Sequence, residues 1–349
     1  MRSSSGQYYQ SISHIRAFAI FLVFFWHFIH FSNYQKSPPF GYFLSLFTEG
    51  HIGVSIFFTL SGYLLAKLSV NKKINFFSFL LNRLVRLLPL YLFSLTLYLF
   101  YCLYQDIYYP TIIDNIIRGL IYPTLPLGGW AITVELHYYL ILPWLIKIKD
   151  SKLYLLIIIL CILLRYILFK LNGEVQSLAY WTIIGRIDEF IFGIVAYKWR
   201  MYVPNSWKIM TALSIFFSIF YYHFDSNGGF YSNGGYPSSS SIWIYLTTLQ
   251  GLFFSILIAW YDKYHKPSSG FISLFLERIG SYSYSIYLMH FFIALQAPTF
   301  INKYLISLSN PYILFLCALP CFILTIPIAY LTYRFVEMPF MKYRINYYN

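Results

Sequence analysis

Apolar stretches of about 20 residues recur along the whole chain, each bounded by charges or by Gly, Pro, Asn and Ser clusters. A run of that length is what a helix needs to cross the hydrocarbon core of a bilayer. The boundaries predict helices near 14–33, 52–69, 84–104, 130–147, 153–171, 178–198, 208–223, 242–261, 281–300 and 311–334. The expected fold is therefore all-α: a polytopic membrane protein with about ten transmembrane helices in one bundle around a polar central cavity. Residues 1–349 form one membrane domain in this reading, with no soluble C-terminal domain. The chain is 59% hydrophobic and only 11% charged, where an ordinary soluble chain carries about 25% charged residues, so a soluble enzyme is excluded. Aromatics at 23% and a mean hydropathy of +0.60 exclude a disordered chain as well.

The formal net charge is +13, which in a soluble domain would point to nucleic acid. Here the basic residues mark topology instead. With the N-terminus in the cytosol, 19 of the 25 Lys and Arg fall on the cytosolic side, and only Lys36, Arg118, Lys170 and Lys303 fall outside. Arg165 and Arg186 lie within helices. This asymmetry places both termini in the cytosol, and no nucleic-acid partner is expected. The first apolar run contains Arg16, His27 and His30 and lacks a small-x-small cleavage site, so it is expected to stay as a helix. Cys102, Cys161, Cys317 and Cys321 sit inside apolar runs without the neighbours of a tetrahedral metal site, and read as packing residues. Small residues at Gly193, Ala196, Ala259 and Ala294 are candidates for close helix contacts.

Two outer segments are long. Residues 105–129 contain an amphipathic stretch near 112–121 that reads as an interfacial helix. Residues 223–241 carry a tandem element, Ser226-Asn227-Gly228-Gly229-Phe230 followed by Ser232-Asn233-Gly234-Gly235-Tyr236. Its turn-forming steps fit a flexible connector, and its aromatics are of the type that stacks on sugar rings.

Ionisable side chains inside a bilayer cost about 2.5–3.5 kcal/mol each even on lenient insertion scales, so each asks for a function and a partner. Eleven helical residues turn through 1,100°, leaving a remainder of about 20°, so Arg16 and His27 share one face of the first helix about 16 Å apart along its axis. His30 lies near the same face. On the fourth helix, Glu135 and the first helix's His27 both lie about 9 Å from the outer surface. A His27–Glu135 pair would hold the imidazole in one tautomer and stabilise its protonated form, as a general base requires. The plain alternatives are a snorkelling Arg16 and a histidine bonded between helices. Arg83 and Arg86, preceded by Lys72 and Lys73, share a helix face at the cytosolic surface. An arginine fork there suits phosphate, although positive-inside bias alone also accounts for it. Further polar residues at Arg186, Asp188, Glu189, Ser281 to His290 and Tyr333 to Glu337 suggest a shared wet cavity.

Taken together these segments resemble the acyltransferase-3 family of integral membrane O-acyltransferases, which acylate bacterial surface glycans and related acceptors. The resemblance is carried by Arg16-x10-His27, Gly53 to Tyr63, Arg83-x-x-Arg86 before Pro89, Trp130 to Glu135 with Tyr138-Tyr139, Ser281 to His290, and Tyr333 to Glu337-x-Pro339. It implies roles in acyl transfer for Arg16 and His27 and a functional role for Arg83 and Arg86. Ser55 stands where relatives often have an acidic residue, and Asn82-Arg83 where they often have a double arginine.

The expected activity is an O-acetyltransferase that moves an acetyl group from acetyl-CoA, without a metal, to a hydroxyl of an O-antigen, capsule or exopolysaccharide sugar. The acceptor is a glycan or a lipid-linked saccharide. His27, Glu135 and Arg16 are the expected catalytic residues, Arg83 and Arg86 the coenzyme A ligands, and Ser61, Trp130, His290 and Arg334 candidates for lining the cavity. His27 acts either as general base or as a nucleophile carrying the acetyl group. Succinyl or longer acyl groups, a lipid or small-metabolite acceptor, a lipid-linked glycan flippase and a scaffold for a synthase complex are the alternatives.

Overall fold

The computed structural model describes residues 9–32, 41–69, 72, 74–105, 110–231 and 235–347. Among them the regular structure is helical and no strand occurs. The first helix, α1 (Gln10–Phe31), is followed by a single turn, α2 (Ser45–Thr48), and by α3 (Ile52–Leu68), α4 (Phe76–Tyr104) and a short outer helix, α5 (Pro110–Arg118). Then come α6 (Trp130–Lys147), α7 (Ser151–Asn172), α8 (Gln176–Trp181), α9 (Ile183–Lys198), α10 (Trp207–Ser226) and α11 (Leu246–Tyr264). The chain closes with α12 (Phe271–Ser281), α13 (Ser283–Ala294), α14 (Ala297–Tyr304), α15 (Pro311–Thr332), a π-helical turn over Tyr333–Glu337, and α16 (Met338–Met341).

Among the described residues, five helical stretches are long and apolar enough to cross a membrane: Gln10–Phe31, Phe76–Tyr104, Ser151–Asn172, Ser283–Tyr304 and Pro311–Met341. Their burial differs sharply. In the most apolar window of α1, 72% of residues are buried, against 22% for α7. Apolar character is equally useful against protein or lipid, so α1 serves as the central post and α7 as a peripheral helix with most of its side chains facing outward. α1 packs on α3, α12, α13 and α15, and α3 in turn packs on α9 and α11.

α3 and α9 cross at close quarters. A Cβ on Gly193 would fall 2.0 Å from the Thr59 carbonyl oxygen, and one on Gly62 would fall 2.1 Å from the Phe190 carbonyl oxygen. Backbones meet there with no side chain between them, as small residues permit in membrane bundles.

Several helix ends differ from the sequence reading for identifiable reasons. The segment near 178–198 is interrupted at Thr182, whose extended backbone makes it the cap of α9; its Oγ1 accepts from the Gly185 N–H at 3.1 Å. α4 starts at Phe76 rather than near 84, because Asn75 caps it by accepting from the Ser78 N–H at 3.1 Å and the helix runs on past the apolar window. The segment near 281–300 breaks at Tyr282 and again before Pro298, where the prolyl ring stands in the first turn of α14. The outer helix near 112–121 is present as α5.

One end of the bundle is laced by polar contacts. Lys67 reaches Asp262 at 2.7 Å and lies over the Tyr9 ring, Tyr63 donates to the same carboxylate, and Ser11 bonds it from α1. Lys198 donates to the Tyr154 hydroxyl, and Tyr154 donates to the Leu145 carbonyl. At the opposite end, Glu49 and His51 are fully buried 3.3 Å apart. Glu49 accepts from the Phe230 N–H at 3.1 Å, and Gly229 lies so close that an added Cβ would meet the Glu49 Oε1. The first copy of the tandem element is thus pinned, with Phe230 buried between Trp26, His51, Tyr180 and Trp243. This corrects the expectation of a flexible connector over that copy. Residues 232–234 of the second copy lie outside the described residues, as do Arg2, Lys36 and Lys73.

Two buried ion pairs hold the α7–α9–α11 side. Arg165 pairs with Asp188 at 2.7 Å and also donates to Thr247 and Thr248, and Arg186 pairs with Glu189 at 3.0 Å. The Arg186 guanidinium also lies over the rings of Tyr180, Phe58 and Trp130. Ser55, standing where relatives often have an acid, donates to Gln250 and accepts from Arg186.

Candidate active site

Arg16 of α1, Ser61 of α3, Arg86 of α4, Glu135 of α6, and Ser283, Tyr284 and Tyr287 of α13 line one cavity of about 90 Å³. Val54, Phe57, Phe58, Leu60, Leu87, Ala131 and Ile132 close its apolar walls. Five helices therefore deliver two guanidinium groups and one carboxylate to the same small space. The carboxylate is held on two sides: Glu135 Oε1 accepts from the Ser61 hydroxyl at 3.1 Å and from the Tyr139 hydroxyl one turn along its own helix. Two tyrosines fix α13 against the rest. Tyr284 donates to the Leu87 carbonyl at 2.7 Å and Tyr287 to the Gly128 carbonyl at 2.8 Å.

Arg83 and Arg86 do not act as a single fork. Arg86 lines the cavity, whereas Arg83 turns toward the chain's C-terminal segment, donating to the Tyr347 hydroxyl at 3.2 Å with its guanidinium over the rings of Phe79, Tyr139 and Tyr347. A spacing of three residues leaves the two side chains about 60° apart around the helix, enough for them to reach different neighbours once the C-terminal segment packs beside α4. That segment is tied down by the Asn75 N–H to the Tyr347 carbonyl at 2.9 Å, and by a reciprocal pair between Asn82 and Ile345 at 2.6 and 2.9 Å. Arg344 lies close enough to Arg86 and Arg83 to interact with them electrostatically. Burial, then the charges of Arg86 and Arg83, pull its guanidinium down to about 10, which leaves it cationic at neutral pH.

The expected His27–Glu135 hydrogen bond is not made. α1 and α6 both pack against α3, so equal depth does not bring their side chains together. His27 packs instead against α13, with ring centroids 4.9 Å from His290 and 4.6 Å from Phe291. Tyr287, which lines the cavity, is one turn from Phe291 on the same helix, so His27 stands about 6 Å of helix rise beyond the cavity wall.

The remaining candidates divide. Ser61 lines the cavity. Trp130 packs against Phe58, Tyr180 and Trp181 beside the Arg186 guanidinium. His290 is buried behind Tyr287 next to His27. Arg334 is exposed, donating to Tyr330 in a separate surface cleft with Tyr282 and Tyr333. The sequence reading flagged the Ser281–His290 stretch without separating its faces; Ser283, Tyr284 and Tyr287 recur at the three- and four-residue spacing that marks one helix face. It placed Glu337 only within the polar stretch from Tyr333; that residue is buried, accepts from Ser285 at 3.2 Å and interacts electrostatically with Arg86, Arg344 and Arg16.

Residues 9–334 match the acyltransferase domain family Acyl_transf_3. The chain belongs to this acyltransferase family. It is 25% identical over 389 aligned positions to the O-acetyltransferase OatA of Staphylococcus aureus strain NCTC 8325 / PS 47, and equally so to that of strain COL. In both cases 97% of this chain is aligned, and it spans 58% of the relative's length. No solved structure matches it. In this chain the Arg16-x10-His27 pair runs from the cavity to the α13 contact. No group of His, Cys, Asp and Glu suited to a metal occurs among the described residues.

Proposed function

We propose that this protein is a membrane O-acetyltransferase that moves an acetyl group from acetyl-CoA to a hydroxyl of a surface polysaccharide sugar of the O-antigen, capsule or exopolysaccharide type. It works in the inner membrane with about ten helices crossing the bilayer around the cavity, both termini cytosolic, and a glycan or lipid-linked saccharide as acceptor. The observation that carries this reading is the convergence of Arg16, Arg86, Glu135 and Ser61 from four helices on one cavity in a member of an acyltransferase family.

The residues fit an anionic donor. Arg86, with Arg83 and Arg344 close by, offers cations for phosphates at the end where the basic residues gather, and a space of about 90 Å³ suits the acyl thioester rather than the nucleotide. Glu135 balances Arg16 and Arg86 and holds their end of the cavity through Ser61 and Tyr139. His27 takes the proton of the acceptor hydroxyl as the hydroxyl oxygen attacks the thioester carbonyl carbon. The C–S bond breaks, and the proton passes on to the leaving thiolate.

The test compares surface polysaccharide by NMR and mass spectrometry from cells with the wild-type gene, a deletion, and His27→Ala at equal expression. Loss of a positioned general base costs about 10²–10⁴-fold in rate, so the acetyl signal disappears in both mutants. Unchanged acetylation, with polymer yield lost in the deletion and restored by His27→Ala, would replace this reading with a flippase or scaffold.

A further inference from the structure

His290 carries a buried nitrogen lone pair beside the histidine proposed to move the proton. Its ring is fully buried on α13, with Nδ1 2.6 Å from the Tyr287 carbonyl oxygen and 3.2 Å from that of Ile286. Carbonyl oxygens only accept, so Nδ1 bears the proton and, in the neutral ring, Nε2 bears the lone pair. That Nε2 is buried and has no hydrogen-bond partner. Buried polar atoms are nearly always paired, and an exception calls for an explanation.

The neighbouring polar ring supplies one. His27 lies with its centroid 4.9 Å from that of His290 at a 45° tilt, and its other contacts are with the rings of Trp26, Phe31 and Phe291. An acceptor without a donor thus touches an imidazole that makes no hydrogen bond of its own. His30, one turn along α1, has its Nδ1 2.7 Å from the Trp26 carbonyl oxygen and its ring against Trp26 and Tyr231. Phe24 and Phe291 flank His290 and offer no polar alternative.

We infer that His290 is the positioning residue of His27: a rotation of the two adjacent rings lets its Nε2, unbonded in this structure, accept one ring N–H of His27 and so leaves the other His27 nitrogen as the lone pair that receives the acceptor hydroxyl proton. This inference rests on the proposed role of His27. It assigns the orienting task, expected of Glu135 from sequence, to a neutral imidazole on α13. His290 keeps its own Nδ1 proton on the Tyr287 carbonyl throughout. When His27 becomes the imidazolium, the proton it shares with His290 stays on His27, and the newly gained proton leaves with the thiolate.

The experiment uses the full chain in lipid nanodiscs with ¹⁵N-labelled histidine, first without substrate. Wild type, His27→Ala, His290→Gln and His290→Phe are compared by long-range ¹H–¹⁵N correlation, with the His27 and His290 signals assigned by their loss in the variants. Gln presents an amide oxygen near the place of Nε2, whereas Phe keeps the ring packing without an acceptor. A single His27 tautomer is expected in wild type and in His290→Gln and a mixture in His290→Phe, while His27→Ala moves the His290 Nε2 signal toward that of an unbonded lone pair. In acyl transfer, His290→Phe lowers kcat about tenfold or more with donor KM unchanged, and His290→Gln recovers part of the loss.

An unchanged His27 tautomer in His290→Phe overturns the inference, as does a Phe variant more active than the Gln variant, which is the order a packing role predicts. If His290→Phe does not fold, the His27→Ala measurement decides alone, and an unmoved Nε2 signal refutes the proposal. Normal tautomer shifts in a protein that transfers no acyl group would refute the proposed function and leave the pairing standing.

Discussion

The Ser61 hydroxyl donates to the Glu135 carboxylate at 3.1 Å, joining α3 to α6 at the wall of the cavity that Arg16 and Arg86 also line. Tyr139 donates to the same carboxylate oxygen. Glu135 therefore belongs to the cationic end of the site, and its substitution should disturb the donor rather than the tautomer of His27.

Ser61→Ala removes one hydrogen bond to a carboxylate, worth about 1.5–3 kcal/mol when the acceptor is charged. Acyl transfer is expected to fall by about tenfold in Ser61→Ala and further in Glu135→Ala, read as thiol release from acetyl-CoA by the protein in nanodiscs. Glu135→Ala at the wild-type rate would remove Glu135 from the site.

Arg83 and Arg86 should separate in their effects. Arg86→Ala is expected to raise the donor KM with little change in melting temperature, because its side chain borders the cavity. Arg83→Ala lowers the melting temperature instead, since it unties Tyr347. Donor titration and a thermal-shift assay on both variants check this, and equal donor KM changes in the two would restore the paired fork.

Gly193→Ala places a methyl group 2.0 Å from the Thr59 carbonyl oxygen, where backbone rather than a flexible side chain must yield. Overpacking of this kind costs about 1–3 kcal/mol, occasionally more. The expected result is reduced yield and a lower melting temperature in detergent, with Ala196→Gly as a control that leaves the crossing in place.

Asp188→Ala leaves Arg165 fully buried without its carboxylate. Breaking a buried pair from one side costs about 3–5 kcal/mol, whereas replacing both partners by apolar residues of similar volume is often neutral or stabilising. Asp188→Ala is expected to lose folded protein, and Arg165→Met with Asp188→Leu to recover part of it; size-exclusion yield distinguishes them.

The apolar periodicity made the principal helices legible because the period of a helix and the length of a bilayer crossing are local properties. Breaks such as Thr182 were not, since that residue ends one helix and caps the next through its own side chain. Arg16, Ser61, Arg86 and Glu135 were all visible as polar residues in apolar runs, and the structure brings them together. The pairing of His27 was illegible for a different reason. Depth along a helix can be counted from sequence, but the neighbour at that depth depends on packing order, and α13 rather than α6 faces His27. The divergence of Arg83 from Arg86 depends likewise on a segment that packs from far along the chain.

That segment sets the order in which the molecule can be completed. Asn82 and Ile345 are bonded across 263 positions, and the Asn75 N–H waits on the Tyr347 carbonyl. The first turns of α4 therefore emerge from the ribosome long before the strap that holds them, and contacts of such sequence separation form late. Until residue 347 has been synthesised and docked, Arg83 lacks the ring and hydroxyl of Tyr347, and Arg86 lacks the neighbouring charge of Arg344. The surroundings of Arg83 and Arg86 are thus complete only after residue 347 has docked, a built-in delay between insertion of α4 and closure of its first turns.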